Sequence, residues 1–218
     1  MIYHPIKNFK SKIGSSTVNL RGKMFRNILF LYIFSWSYTF GLDNCFKNFI
    51  NHPTDLSYSL VEKFLTKYSK EINKDLIEVS GMILENGNMI KMDELLLKGD
   101  INTLKMFYLI RPFLRGYPNE LEDMDKIMGD FLELYPKSFL KIGYGLYKDK
   151  KIDSTDMLGI LCYMGDKYVD KFGEQVKKLK KRVRIINDNK DNRMLLFENL
   201  CIDILNTHIK FIKNNFPV

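Results

Sequence analysis

The side chains that carry enzyme chemistry are few in this chain and poorly spaced for it. Histidine occurs only at His4, His52 and His208. Neither a His-Glu-x-x-His nor a Cys-x-x-Cys spacing exists, so no zinc site is written into the sequence. A Ser–His–Asp or Cys–His relay would have to be assembled across the fold from His52 or His208, and no nucleophile turn accompanies either. The densest acids are Glu120, Glu122, Asp123, Asp125, Asp130 and Glu133. They fall on one predicted helix, 118–135, so some acid pair must share a face, and a hydrolase could use such a pair if a groove opened beside it. Carboxylates near a helix start also oppose the macrodipole and solvate an outer surface, which is the reading preferred here.

Two loops carry partial outlines of ligand motifs. The stretch 187–192 with Glu198 in twelfth place has the outline of a calcium loop, but the sixth place lacks glycine and Arg193 takes the seventh, leaving a polar connection. Gly143-Tyr144-Gly145 lacks the third glycine and the preceding strand of a phosphate loop. The expectation is therefore no catalytic residue, no metal and no cofactor.

Cations are patterned more sharply. Lys177, Lys178, Lys180, Lys181, Arg182 and Arg184 put six positive charges into eight residues of one predicted helix, with Asp170 and Glu174 as partial balance. Such a run is ordinarily a solvated face, and its functional reading is a contact for anionic lipid, acidic polysaccharide or an acidic protein partner. A weaker patch is Arg111 and Arg115, one turn apart and followed by Tyr117. Paired arginines of this kind clamp a carboxylate or make structural ion pairs.

The N-terminal forty residues decide the compartment. Arg26, the uncharged run 28–36 and Thr39-Phe40-Gly41 follow the three-part layout of an export leader over 24–41, with cleavage expected between Gly41 and Leu42. The uncharged span is shorter than the roughly 20 apolar residues of a membrane-crossing helix. An uncleaved, membrane-associated leader is the alternative. Residues 1–23 hold cations, no acid and no apolar periodicity, and read as a disordered extension or a start assigned too early, with Met24 the natural first residue. Residues 1–41 contain six of the 34 Lys and Arg and none of the 26 acids, so the formal net charge of +8 falls to +2 beyond them. Nucleic-acid binding loses its main support.

Three cysteines in an exported chain leave one odd thiol. Cys45, four residues past the expected cut, is a candidate for lipid attachment, although Asp43 and Asn44 are poor neighbours for it. Cys162 and Cys201 then remain as a candidate disulfide, or as core residues.

The elements that would carry these residues are helices. Residues 42–53 read as a join, and 54–218 as a single all-α domain. Thr54 or Asp55 starts a helix with Leu56, Leu60, Val61, Phe64 and Leu65 inward. Asp75–Glu85 follows and stops at Asn86-Gly87, a pair that could also turn a hairpin. Glu94–Lys98 is a short helical turn closed by Gly99. Asp100 or Asn102 caps the next helix, which Pro112 kinks or ends. Helices from Pro118 and Pro136 come next, then one from Asp153-Ser154-Thr155-Asp156, a long basic one from Asp166, and a last one, Arg193–Asn214, apolar on several sides and expected to be the most buried. The short, tightly hinged helices between about 100 and 147 resemble HEAT or armadillo repeats, which implies a stack of antiparallel helices. An irregular bundle is the other form of the same class. The function these features suggest is an exported, periplasmic or surface, helical binding protein for a protein partner or an anionic envelope surface. The alternatives are the envelope hydrolase and the membrane-associated protein already named.

Overall fold

A computed structural model describes residues 41–71, 81, 83–84, 87–165 and 168–216. The expectations for 1–23, for the leader as far as Phe40 and for most of Asp75–Glu85 lie outside these residues. The chain divides into two compact units, residues 1–42 and 43–218. In the first, only Gly41 and Leu42 are described, both helical.

The described residues form helices and no strand, so the protein is all-α. Helix α1 covers residues 41–51, where a join was expected at 42–53. Its asparagines hide an inward period, Phe46, Phe49 and Ile50, all buried. The bend at His52 leads into α2, Asp55–Glu71. Thr54 and Ser57 cap it reciprocally: the Ser57 amide donates to Thr54 Oγ1 at 3.2 Å and the Thr54 amide to Ser57 Oγ at 2.9 Å. Ser57, Val61 and Leu65 are buried while Leu56 and Leu60 face solvent, a narrower inward stripe than the leucine spacing predicts.

Gly87, at φ +68°, precedes α3, Asn88–Leu97. The helix starts well before the expected turn at Glu94 because Asn88, Met92 and Leu96, each four residues apart, share one buried face. Gly99 ends it at φ +89°, a conformation that suits only glycine without strain. Asp100 then caps α4, Ile101–Ile110, accepting the Thr103 amide at 2.6 Å. Helix α4 is inward on nearly every side, with Thr103, Leu104, Met106, Phe107, Tyr108 and Ile110 buried. Pro112 converts the chain to a 3-10 turn, Arg111–Leu114.

Prolines at the first position open both α5, Pro118–Leu134, and α6, Pro136–Lys148. Helix α7, Ser154–Cys162, starts in a full capping box between Asp153 and Asp156. It is followed by α8, Phe172–Asp188, and α9, Leu195–Asn215. The acidic helix α5 is the hub of the assembly, touching α3, α4, the 3-10 turn, α6, α7 and α8. Its Met124, Met128, Phe131 and Leu132 are fully buried, each contributing roughly 1.5–3 kcal/mol of burial. Helix α9 rests on α6, α7 and α8 through one stripe, Phe197, Cys201, Leu205, Ile209 and Ile212, while Leu196 and Phe211 stay exposed. Among the described residues the most buried element is thus α4 rather than the last helix, because α4 is covered by α2, α3, α5 and α6, whereas α9 packs mainly on α6, α7 and α8.

Candidate functional site

The acids of α5 that turn inward are occupied by arginines. Arg111, from the 3-10 turn, is buried and forks onto Asp125, with Nε–Oδ1 and Nη2–Oδ2 both at 2.8 Å. Its Nη1 also donates to Asp156 Oδ1. Burial works against the Arg111 charge, but its hydrogen bonds to Asp125 and the negative charges of Asp125 and Asp156 outweigh it and hold the guanidinium above its ordinary value. Asp156 in turn accepts the Asp153 amide through Oδ2 at 3.1 Å, so the same carboxylate caps α7 and ties it to the turn. Of the weaker predicted patch, Arg115 alone is well exposed, 3.8 Å from Asp156, and Tyr117 sits half-buried at the start of α5. Arg111 is unavailable to an outside partner.

Arg182 is a second correction to the predicted basic face, since it is fully buried. Its Nη1 donates to the Leu161 carbonyl at 2.6 Å and its Nε to Glu133 Oε1 at 3.1 Å. Nη2 has no hydrogen bond and lies 3.6 Å from Asp130 Oδ1. The Leu161 carbonyl belongs to the last turn of α7, where helix carbonyls lack internal partners. Lys178 adds a 2.7 Å bond to Asp130 and stands 5.3 Å over the Tyr168 ring; Lys181 bonds Glu133 at 2.7 Å. Burial pushes the Asp130 and Glu133 carboxyls up, but these cations outweigh it and hold both below the usual range. Of the six predicted cations, Lys177, Lys180 and Arg184 are exposed and make no ion pair among the described residues; Lys177 borders, with Lys178, Lys181, Glu133 and Glu174, a shallow recess of about 330 Å³.

Two helix glycines make these clusters possible. A Cβ on Gly129 of α5 would lie 2.6 Å from both terminal nitrogens of Arg182, and one on Gly159 of α7 would strike Arg111 Nη2 at 2.6 Å and Asp125 Oδ2. Helix α7 has nine residues, too few to be stable alone. It is held at its start by Arg111 through Asp156 and at its end by Arg182.

A concave site appears elsewhere. The first turns of α6 and the 189–194 connection between α8 and α9 enclose a recess of about 780 Å³, lined by Lys137, Lys141, Tyr144, Lys190, Asn192 and Met194, among others. Arg193 borders it but is committed to Asp191, with Nη2–Oδ2 at 2.6 Å. No carboxylate lies within ion-pair distance of Lys137, Lys141 or Lys190 among the described residues, so the recess carries three uncompensated positive charges. Its loop wall is anchored from below by Glu198, fully buried on α9, whose carboxylate accepts the Asp191 amide at 3.0 and 3.3 Å. Tyr144 packs tilted against Phe197, ring centres 6.4 Å apart. The sequence held one overlooked signal for this site: α6 carries Lys137, Lys141 and Lys148 and no acid.

The remaining candidates are dispersed. Cys45 is part-buried on α1, next to the expected cut at Gly41 and Leu42. Cys162 and Cys201 are separate thiols, not a disulfide; burial pushes each up to about 12. His52 is exposed and His208 lies against Phe211 at 6.1 Å. Asp93 on α3 has a buried, unbonded Oδ1, and burial with the nearby Asp123 charge raises it to about 7. Among the described residues no three His, Cys, Asp or Glu side chains are grouped as a metal ion would need, and no helix is long and apolar enough to cross a membrane. No protein-family model matches the chain, and no curated protein or solved structure shows significant similarity to it.

Proposed function

We propose that the protein is a helical binding module for an anionic partner, a protein or an envelope surface, working outside the cytoplasm after delivery by the leader at 24–41. The observation that carries this reading is the recess between α6 and the 189–194 loop. It is concave, as ligand sites generally are. It gathers Lys137, Lys141 and Lys190 while its one lining acid, Asp191, is taken by Arg193, whereas most of the acids and cations brought together on α5 and α8 answer each other. Uncompensated like charges cost stability through mutual repulsion and are relieved when an anion binds.

The test is salt-dependent retention of the full chain on carboxylate- and phosphate-bearing matrices. Wild type is expected to be retained at low salt, and the double variant Lys137→Glu/Lys141→Glu to elute at markedly lower salt. The control Lys180→Glu/Arg184→Glu, two exposed cations of α8 that do not line the recess, is expected to change retention much less. Equal retention of wild type and the recess variant would remove the reading. Export is checked separately by the intact mass of the protein from its native cells, which should begin at Leu42.

A further inference from the structure

Resting on the recess as the binding site, we infer that its ligand is a short acidic peptide segment with one apolar or aromatic side chain, rather than a compact phosphate-type anion. Three features distinguish these. The fork that suits a phosphate or a single carboxylate is the guanidinium, and the guanidinium at this rim, Arg193, is already engaged by Asp191 through Nε and Nη2. What remains is a set of ammonium groups on separate supports: Lys137 and Lys141 one turn apart on α6, and Lys190 on the facing loop. Flexible point charges spread in this way answer carboxylates spaced along a chain better than three oxygens on one atom.

The second feature is apolar. Tyr144 and Met194 lie among the lysines. Met194 is buried and Tyr144 is steadied by the Phe197 ring, so the recess presents a fixed ring beside an adaptable thioether. An inorganic anion would gain nothing from either, whereas a side chain flanked by acids would. The third feature is the Asn192 carboxamide. It is exposed at the rim and makes no hydrogen bond among the described residues, and it offers a donor and an acceptor together, the complement of a peptide group. A rounded volume of 780 Å³ is about 11 Å across, the length of roughly three extended residues.

Glu198 is a positioning residue for this site. It touches no ligand, but its carboxylate holds the Asp191 amide and so fixes the loop that carries Lys190 and Asn192.

The experiment is calorimetric titration of the full chain with three probes: the peptide Glu-Asp-Phe-Glu-Asp with blocked ends, the same peptide with Ala for Phe, and inorganic tripolyphosphate. The Phe peptide is expected to bind about tenfold more tightly than the Ala peptide. Tyr144→Ala should erase that preference and Tyr144→Phe should keep it, which separates loss of the ring from loss of fold. Lys137→Glu/Lys141→Glu should weaken both peptides by tenfold or more. Glu198→Gln should weaken both peptides while leaving their ratio unchanged. Tripolyphosphate binding with neither peptide bound, or two peptides of equal affinity, overturns the peptide inference and leaves the anion-binding reading standing. If no probe binds, or if binding is indifferent to Lys137→Glu/Lys141→Glu, both fall together.

Discussion

Replacing Arg182 by alanine tests the description of α8 most directly, because the sequence and the structure assign that side chain opposite roles. As one of six cations on a solvated face, it would be worth no more than about 0.5 kcal/mol. As the buried residue described here, it supplies the partner of the Leu161 carbonyl at 2.6 Å and one partner of Glu133 at 3.1 Å. Its loss strands a helix-end carbonyl, at about 1–3 kcal/mol, and opens the space its guanidinium fills beside Gly129. The carboxylate is not orphaned, since Lys181 remains at 2.7 Å and Lys178 at 3.6 Å. That places the total near the lower end of the roughly 3–5 kcal/mol for breaking a buried ion pair. For a unit of this size the melting temperature should drop by about 6–12 °C, at 2–4 °C per kcal/mol. Thermal unfolding of the full chain followed by circular dichroism reads this, with Lys180→Ala, an exposed neighbour, expected within about 0.5 kcal/mol of wild type. Arg182→Met, which keeps the stem and removes the fork, should fall between them. If Arg182→Ala melts with Lys180→Ala, the buried cluster is refuted.

Other outcomes follow from the same geometry. Gly159→Ala should destabilise by about 1–3 kcal/mol through overpacking against Arg111 and Asp125, where an ordinary helix glycine would gain up to about 1 kcal/mol; the sign of the change in denaturant midpoint decides. Asp93, raised from 3.8 to about 7 by burial and then by Asp123, keeps its proton in the folded state where the unfolded chain has lost it. Its contribution therefore falls as pH rises from about 4 to 7, and Asp93→Asn should recover on the order of 1–2 kcal/mol at pH 8, after discounting for solvent screening, and nothing at pH 3.5; equal differences at the two pH values would exclude this. Tyr108 is buried with an unbonded hydroxyl, so Tyr108→Phe should be neutral or stabilising by up to about 1 kcal/mol, and a loss above about 1 kcal/mol would reveal a partner for the hydroxyl. With burial holding Cys162 and Cys201 at about 12, Cys45 should be alkylated first in the folded chain at pH 8, and all three should react after unfolding without reductant. A pair that stays silent would mean a disulfide.

The helical class and most element starts were legible because they depend on neighbours in sequence. Thr54, Asp100 and Asp153 accept amides within one turn and Pro118 and Pro136 preset the first helical φ, and all five stand at helix starts. The α1 helix was missed because polar Asn44, Asn48 and Asn51 obscured a period visible only once Phe46, Phe49 and Ile50 are seen to be buried. The site was less legible. Whether Arg182 or Asp125 faces water is decided by partners 49 and 14 residues away, and a charge pattern on one helix carries no such information. The recess joins α6 to a loop some fifty residues later, and only the lack of acids on α6 hinted at it.

The glycines at 129 and 159 have a consequence for descent. Each leaves a gap that a charged side chain from another element enters, so a larger residue at the glycine and the present ion pair exclude one another. Gly129 is tied to Arg182, and Gly159 to Arg111 and Asp125. Any diverged copy of this chain should therefore keep or abandon these five residues in blocks. That rule gives a way to recognise distant kin by linked substitution at fixed spacings, even where overall likeness has faded.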